Sequence, residues 1–128
     1  MQEPDQELDR LAHDVIGAAI EVHRALGPGY LEATYAKALA IELRIRGIAH
    51  SREAPVRLEY KGEPLGEGRL DLLVDSRLVV ELKAVESLAP IHEAQVIAYL
   101  KATKHELGLL INFNTVVLRD GIKRIILT

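Results

Sequence analysis

The stretch from Arg69 to Lys83 constrains this chain more than any other, because it sets charged side chains inside two short apolar runs. Arg69-Leu70-Asp71-Leu72-Leu73-Val74 and Leu78-Val79-Val80-Glu81-Leu82-Lys83 flank the polar break Asp75-Ser76-Arg77, the pattern of a β-hairpin. Buried strands rich in Leu and Val do not carry Asp, Glu and Lys unless those charges are paired or hold a metal. Side chains alternate along a strand, so Glu81 and Lys83 share one face while Leu82 points to the other. Asp71 joins that face if it lies opposite Glu81, which requires a three-residue loop from Asp75 to Arg77. A two-residue loop would put Val80 opposite Asp71 and turn Glu81 away. The chemistry therefore carries a register prediction.

Two carboxylates and an ammonium on one strand face suit a hard cation. Oxygen ligands favour Mg²⁺ or Mn²⁺, which keep several waters and bind through one or two carboxylates plus substrate phosphate. A protonated Lys83 is no ligand, but it can orient an attacking water or stabilise charge building on a phosphate. The plain alternative is a solvated hairpin face with a Glu-Lys cross-pair.

The rest of the chain decides between them. Its 128 residues fit one domain, 1–128, with 1–7 expected as a frayed tail. Formal net charge is −3, so no global basic signature points to nucleic acid. Cysteine is absent, which excludes disulfides, thiolate zinc sites and Cys nucleophiles. The polar, acidic start Met-Gln-Glu-Pro-Asp-Gln-Glu is unlike a signal or transit peptide. No apolar run approaches the length of about 20 residues that a membrane-crossing helix needs. The expectation is a cytoplasmic protein with no membrane partner.

Apolar residues at Leu8, Leu11, Ala12, Val15, Ala19, Val22 and Leu26 predict a helix over about 5–26, broken by Gly27-Pro28-Gly29. A second helix fits Leu31 to Arg46, with Gly47 as its stop. Glu32 and Tyr35 share one face at its start; in the plain reading Glu32 complements the helix dipole and Tyr35 is core. Val56, Leu58 and Tyr60 alternate with charges as a half-buried strand, Glu63–Leu65 returns antiparallel, and Gly66 and Gly68 mark a bend or bulge. A third helix spans about Ile91 to Thr103, and Leu107–Ile111 reads as a buried strand. Val116–Leu118 and Ile122–Leu127 are expected to form a terminal hairpin around Arg119-Asp120-Gly121. The last strand could offer an exposed edge to a second chain, making a homodimer. Helices, then strands, then helix and strands indicate an α/β or α+β layer domain with a mixed sheet.

On the third helix, His92, Gln95 and Tyr99 form one stripe. An amide and a phenol there could bind a phosphate or base edge, or position Lys83. The alternative leaves Gln95 and Tyr99 at the core's margin and His92 near the N-terminal cap.

Gly29-x-x-Glu32-x-x-Tyr35, then Asp71, Glu81-Leu82-Lys83, His92-Glu93-Ala94-Gln95-x-x-x-Tyr99-Leu100 and Gly108-Leu109-Leu110-Ile111-Asn112-Phe113 follow one another in order. In this the chain resembles the GxxExxY family of small, mostly prokaryotic proteins, assigned to the PD-(D/E)XK nuclease superfamily, over about Val15 to Leu127. The resemblance implies a restriction-endonuclease-like core: a central four-stranded mixed β-sheet flanked by helices, with an added hairpin. It implies Asp71 and Glu81 as catalytic metal ligands, joined by Glu32 and the Leu82 backbone carbonyl. Lys83 would be the catalytic lysine, and Gln95, Tyr99, Tyr35 and His92 substrate-positioning residues. Leu70 stands where the superfamily name has Pro, a position that tolerates other residues.

The implied activity is Mg²⁺- or Mn²⁺-dependent hydrolysis of phosphodiester bonds in nucleic acid, DNA ahead of RNA. Arg44, Arg46, Arg52, Arg57, Lys101 and Lys104 are the basic residues that could meet a nucleic-acid backbone. The competing reading is a catalytically inactive nuclease-fold binding or regulatory module, favoured by small size and acidic balance.

Overall fold

The computed structural model describes residues 4–127. Helix α1, Gln6–Leu26, starts where Asp5 caps it: an Asp5 carboxylate oxygen accepts the Leu8 N–H at 2.8 Å. Asp5 to Glu7 are thus part of the helix start and not a frayed tail, while Met1 to Glu3 lie outside the described residues. Helix α2, Glu32–Ile45, ends in a Schellman turn, with the Gly47 N–H bonded to the Arg44 carbonyl and the Ile48 N–H to that of Leu43. Gly47 adopts φ 72°, a conformation that glycine enters without a Cβ clash.

Strands β1 (His50–Tyr60) and β2 (Glu63–Val74) form a long antiparallel hairpin around Lys61-Gly62. Both turn residues have positive φ, as a two-residue hairpin loop of matching twist demands. The expected break around Gly66 is a bulge inside one continuous strand, with Leu65 the extra residue between the Leu58–Gly66 and Glu59–Pro64 pairs. Strand β3 (Leu78–Lys83) pairs with the base of β2. Helix α3 (Pro90–Thr103) then carries the chain across to β4 (Leu107–Asn112), parallel to β3. Strand β5 (Ile122–Ile126) runs antiparallel on the far side of β4. Among the described residues the sheet is five-stranded and mixed, in the order β1-β2-β3-β4-β5. The expected four strands plus hairpin thus form one continuous sheet.

The expected terminal hairpin is not formed. Val116 and Val117 are exposed, Leu118–Gly121 is a single 3-10 turn, and β5 pairs with β4 instead. Leu118 buries its side chain in the core beside α1, so 116–118 cannot also serve as a strand beside β5. The outer edge of β5 carries Lys123 and Arg124, ion-paired to Glu93 and Asp9.

Both faces of the sheet are covered at β3 and β4, while the outer half of the β1–β2 hairpin stays exposed. Leu72, Val74, Val80, Leu82, Leu109 and Ile111 pack under α1 and α2, while Leu70, Val79, Leu110 and Ile125 pack under α3. This is why β3 and β4 read as continuous apolar runs, with no alternation. Leu70 and Leu72 should share a face, yet they lie in opposite layers. The reversal falls where Glu53 takes a left-handed φ of 51° and the β1–β2 ladder skips from Arg52–Leu72 to Ala54–Leu70. Asp71 sits at that hinge.

Candidate active site

The β2–β3 register is the one the chemistry required. Leu72 faces Val80, Leu73 faces Val79 and Val74 faces Leu78, leaving Asp75 to Arg77 as the loop and Asp71 opposite Glu81. The regular ladder stops at Leu72–Val80, and acidic side chains take over its hydrogen bonds. Glu81 Oε1 accepts the Asp71 N–H at 3.1 Å, and Asp71 Oδ2 accepts the Leu82 N–H at 2.7 Å. The Lys83 carbonyl accepts from Phe113 N–H at 2.9 Å, toward β4. The Leu82 N–H faces β2, and in an extended strand its carbonyl shares that side.

Lys83 Nζ donates to Gln95 Oε1 at 3.2 Å, so α3 holds the ammonium above the same end of the sheet. Glu81 is 4% exposed. Burial, then the Asp71 charge, pushes its carboxyl up to about 7. Burial also raises Asp71, against the opposing pull of the Leu82 N–H and Lys83, with Glu53 adding to the rise. Glu32, in the first turn of α2, is raised by desolvation and by Asp71, with Lys83 drawing it back. These four groups therefore share one electrostatic field.

A cavity of about 350 Å³ opens between α2 and the hinge, lined by Glu32, Ala33, Ala36, Arg52, Glu53 and Asp71. No group of three or more His, Asp or Glu side chains among the described residues is gathered closely enough to hold a cation as it stands. Asp71 and Glu81 each turn one oxygen onto a neighbouring N–H, and the two carboxyls lie within hydrogen-bonding reach of each other. Were Glu32 and the Leu82 carbonyl to join them, every donor would be oxygen. That fits Mg²⁺ or Mn²⁺, which take one or two protein carboxylates and complete their shell with water and phosphate.

The remaining candidates divide. Gln95 is at the site through Lys83. Tyr99 is half-buried, its ring against Gly68, where an added Cβ would come within 3.0 Å of Tyr99 Cε1. His92 Nδ1 accepts the Ala89 N–H at 2.9 Å, so the ring caps α3. Tyr35 is fully buried and out of substrate's reach. Its hydroxyl donates to the Gly27 carbonyl at 2.5 Å and accepts from Tyr30 N–H at 3.2 Å, and its ring stacks on Phe113 with centroids 4.6 Å apart. It pins the turn that leads into Glu32.

Two contributors, Glu53 and Asn112, are not among the expected site residues. Glu53 lines the cavity, but only the backbone reversal brings it there, and no residue pattern announces one. Asn112 holds the loop after Lys83: its Oδ1 accepts from Val85 N–H at 3.0 Å and its Nδ2 donates to the Val85 carbonyl at 2.9 Å. An amide ending the apolar run Leu107–Ile111 was the available signal.

A mixed sheet flanked by helices, with an acidic hinge beside a Glu-x-Lys strand, defines the restriction-endonuclease-like class. A family model described as the PD-(D/E)XK nuclease superfamily matches residues 9–125, and the chain belongs to that superfamily. Its nucleases generally use divalent metal ions, and nucleic acid is the partner the family implies. Neither the curated proteins nor the solved structures give a match. No described helix is long and apolar enough to cross a membrane.

Proposed function

We propose that this chain is a metal-dependent nuclease of the GxxExxY type that hydrolyses phosphodiester bonds, of DNA ahead of RNA, in the cytoplasm. The observation that carries the reading is the hinge itself: Asp71 and Glu81 are exchanged across the strands beside a lysine held by Gln95. Asp71, Glu81, Glu32 and the Leu82 carbonyl would hold Mg²⁺ or Mn²⁺. A bound ion of this kind supplies a water of lowered pKa and neutralises charge on the phosphate. Lys83, fixed by Gln95, orients the attacking water and offers its charge to the phosphate oxygens. Tyr99 borders the path of the substrate along α3. The outer edge of β5 is where a second copy would add to form a homodimer.

Calorimetric titration with Mg²⁺ and Mn²⁺, followed by a cleavage assay on DNA and RNA, tests this. Binding should vanish in Asp71→Ala, and cleavage should vanish in both Asp71→Ala and Lys83→Ala while both variants stay folded by circular dichroism. Cleavage that survives both substitutions overturns the mechanism. The acidic net charge and the absence of a pre-gathered acidic triad among the described residues favour a second reading, a catalytically inactive binding module. Nucleic-acid binding without metal uptake or cleavage would establish it.

A further inference from the structure

Six basic residues were candidates to meet a nucleic-acid backbone, and the fold separates them. Arg46 is bonded to Glu42 at 2.7 Å beyond the far end of α2, and Arg44 lies in that helix's last turn. Lys101 is in the last turn of α3, and Lys104 sits at its C-terminus beside Arg77 and Glu106. Arg57 is out on the β1–β2 hairpin opposite Glu67. Arg52 alone of the six lines the cavity that also holds Glu32, Glu53 and Asp71.

Its placement follows from the hinge. Arg52 pairs with Leu72, and directly paired residues project to the same side. Leu72 is buried under α1 and α2, so Arg52 is the last residue of β1 on the α2 side before Glu53 reverses the strand's facing. Although carboxylates surround the cavity, Arg52 takes part in none of the ion pairs among the described residues. Arg52 is exposed at this acidic cavity, so its guanidinium, unpaired among the described residues, has its fork of donors available for an anion, and a phosphate matches that fork bidentately.

We infer that Arg52 is a substrate-binding residue that holds the non-bridging oxygens of a backbone phosphate within this cavity, on the α2 side of the Asp71 hinge. The inference rests on the nuclease reading and adds to it a phosphate contact on the α2 side, beyond the α3 side where Gln95 and Tyr99 stand. It also predicts effects of opposite sign. The guanidinium repels a cation and attracts a polyanion, so Arg52→Ala should weaken nucleic acid binding and leave Mg²⁺ binding equal or tighter.

The test uses Lys83→Ala as the non-cleaving parent and a fluorescent DNA duplex in Mg²⁺, read by anisotropy across a salt series. Adding Arg52→Ala should weaken binding about tenfold or more and lower the slope of log K against log salt by about one. Arg52→Lys should recover part of the affinity, since it keeps charge and loses the fork. Wild-type affinity and slope in the double variant overturn the role of Arg52 and leave the nuclease reading standing. A parent that binds no nucleic acid overturns both. A loss of Mg²⁺ binding in Arg52→Ala shows the arginine to be structural, and that too overturns the proposal.

Discussion

Glu81 is the costliest side chain to place in this sheet. Its carboxyl is buried beside Asp71, and the protein gives it one backbone N–H in return. Burial raises its pKa to about 7, from an ordinary value of 4.5, so between these values the folded state binds more protons than the unfolded state. Stability contributed by the protonated carboxyl is full below pH 4.5 and is lost as pH rises through about 7. Glu81→Gln keeps an acceptor for Asp71 N–H but removes the titration. In EDTA, urea unfolding should give nearly equal stabilities for wild type and variant at the acid end. By pH 8 the variant should lead by on the order of 2 kcal/mol. Parallel pH profiles would mean that Glu81 is solvated in the folded protein. This residue was legible beforehand, because a Glu in a Leu- and Val-rich strand needs a reason. Tyr35 and His92 follow the plain reading, Tyr35 in the core and His92 at the cap of α3, and their hydrogen bonds give them structural work at a turn and a helix cap.

At the scale of elements, the helices were readable almost to the residue, since apolar spacing, Asp5 and Gly47 mark their limits. Strand β1 was not: its start at His50 lies ahead of the first alternating residue, Val56, because the reversal at Glu53 destroys the period on which a strand is recognised. The last hairpin departs from its pattern because Val116 and Val117 have strand-forming side chains but stand exposed in a loop. Elements far apart in sequence then fix the site jointly. Phe113, at the end of β4, stacks on Tyr35 of α2 and bonds the Lys83 carbonyl, so one residue braces both the Glu32 and the Lys83 sides. Tyr35→Phe would keep the stack and lose the bonds to Gly27 and Tyr30. Thermal melting should show a loss of about 1 kcal/mol. An unchanged melting temperature would mean that the 27–31 turn is held by packing alone.

Across the whole molecule, two apolar layers share β3 and β4, and the charged hinge lies where β2 leaves β3 and its own faces exchange. The fold gathers three carboxyls with raised pKa values around the hinge, of which Glu32 and Asp71 line the cavity while Glu81 is buried beside Asp71. A site like this is strained by its own charge, and an ion that binds only the folded state relieves it. Ligand linkage sets the size: at a free Mg²⁺ concentration of 100 times Kd the gain is about 2.7 kcal/mol, enough to raise Tm by several degrees. Protons compete for the same oxygens, so the Mg²⁺-induced rise in Tm should be large at pH 8 and small at pH 5.5. It should be absent at both in Asp71→Ala. This readout needs no substrate and separates a metal site from a merely acidic surface. General screening by salt would raise Tm equally with KCl at matched ionic strength and would ignore the Asp71 substitution. A rise confined to the divalent ion, dependent on Asp71 and growing through pH 7, is the outcome expected if these carboxyls hold Mg²⁺, and its absence in the wild type would count against the proposed site.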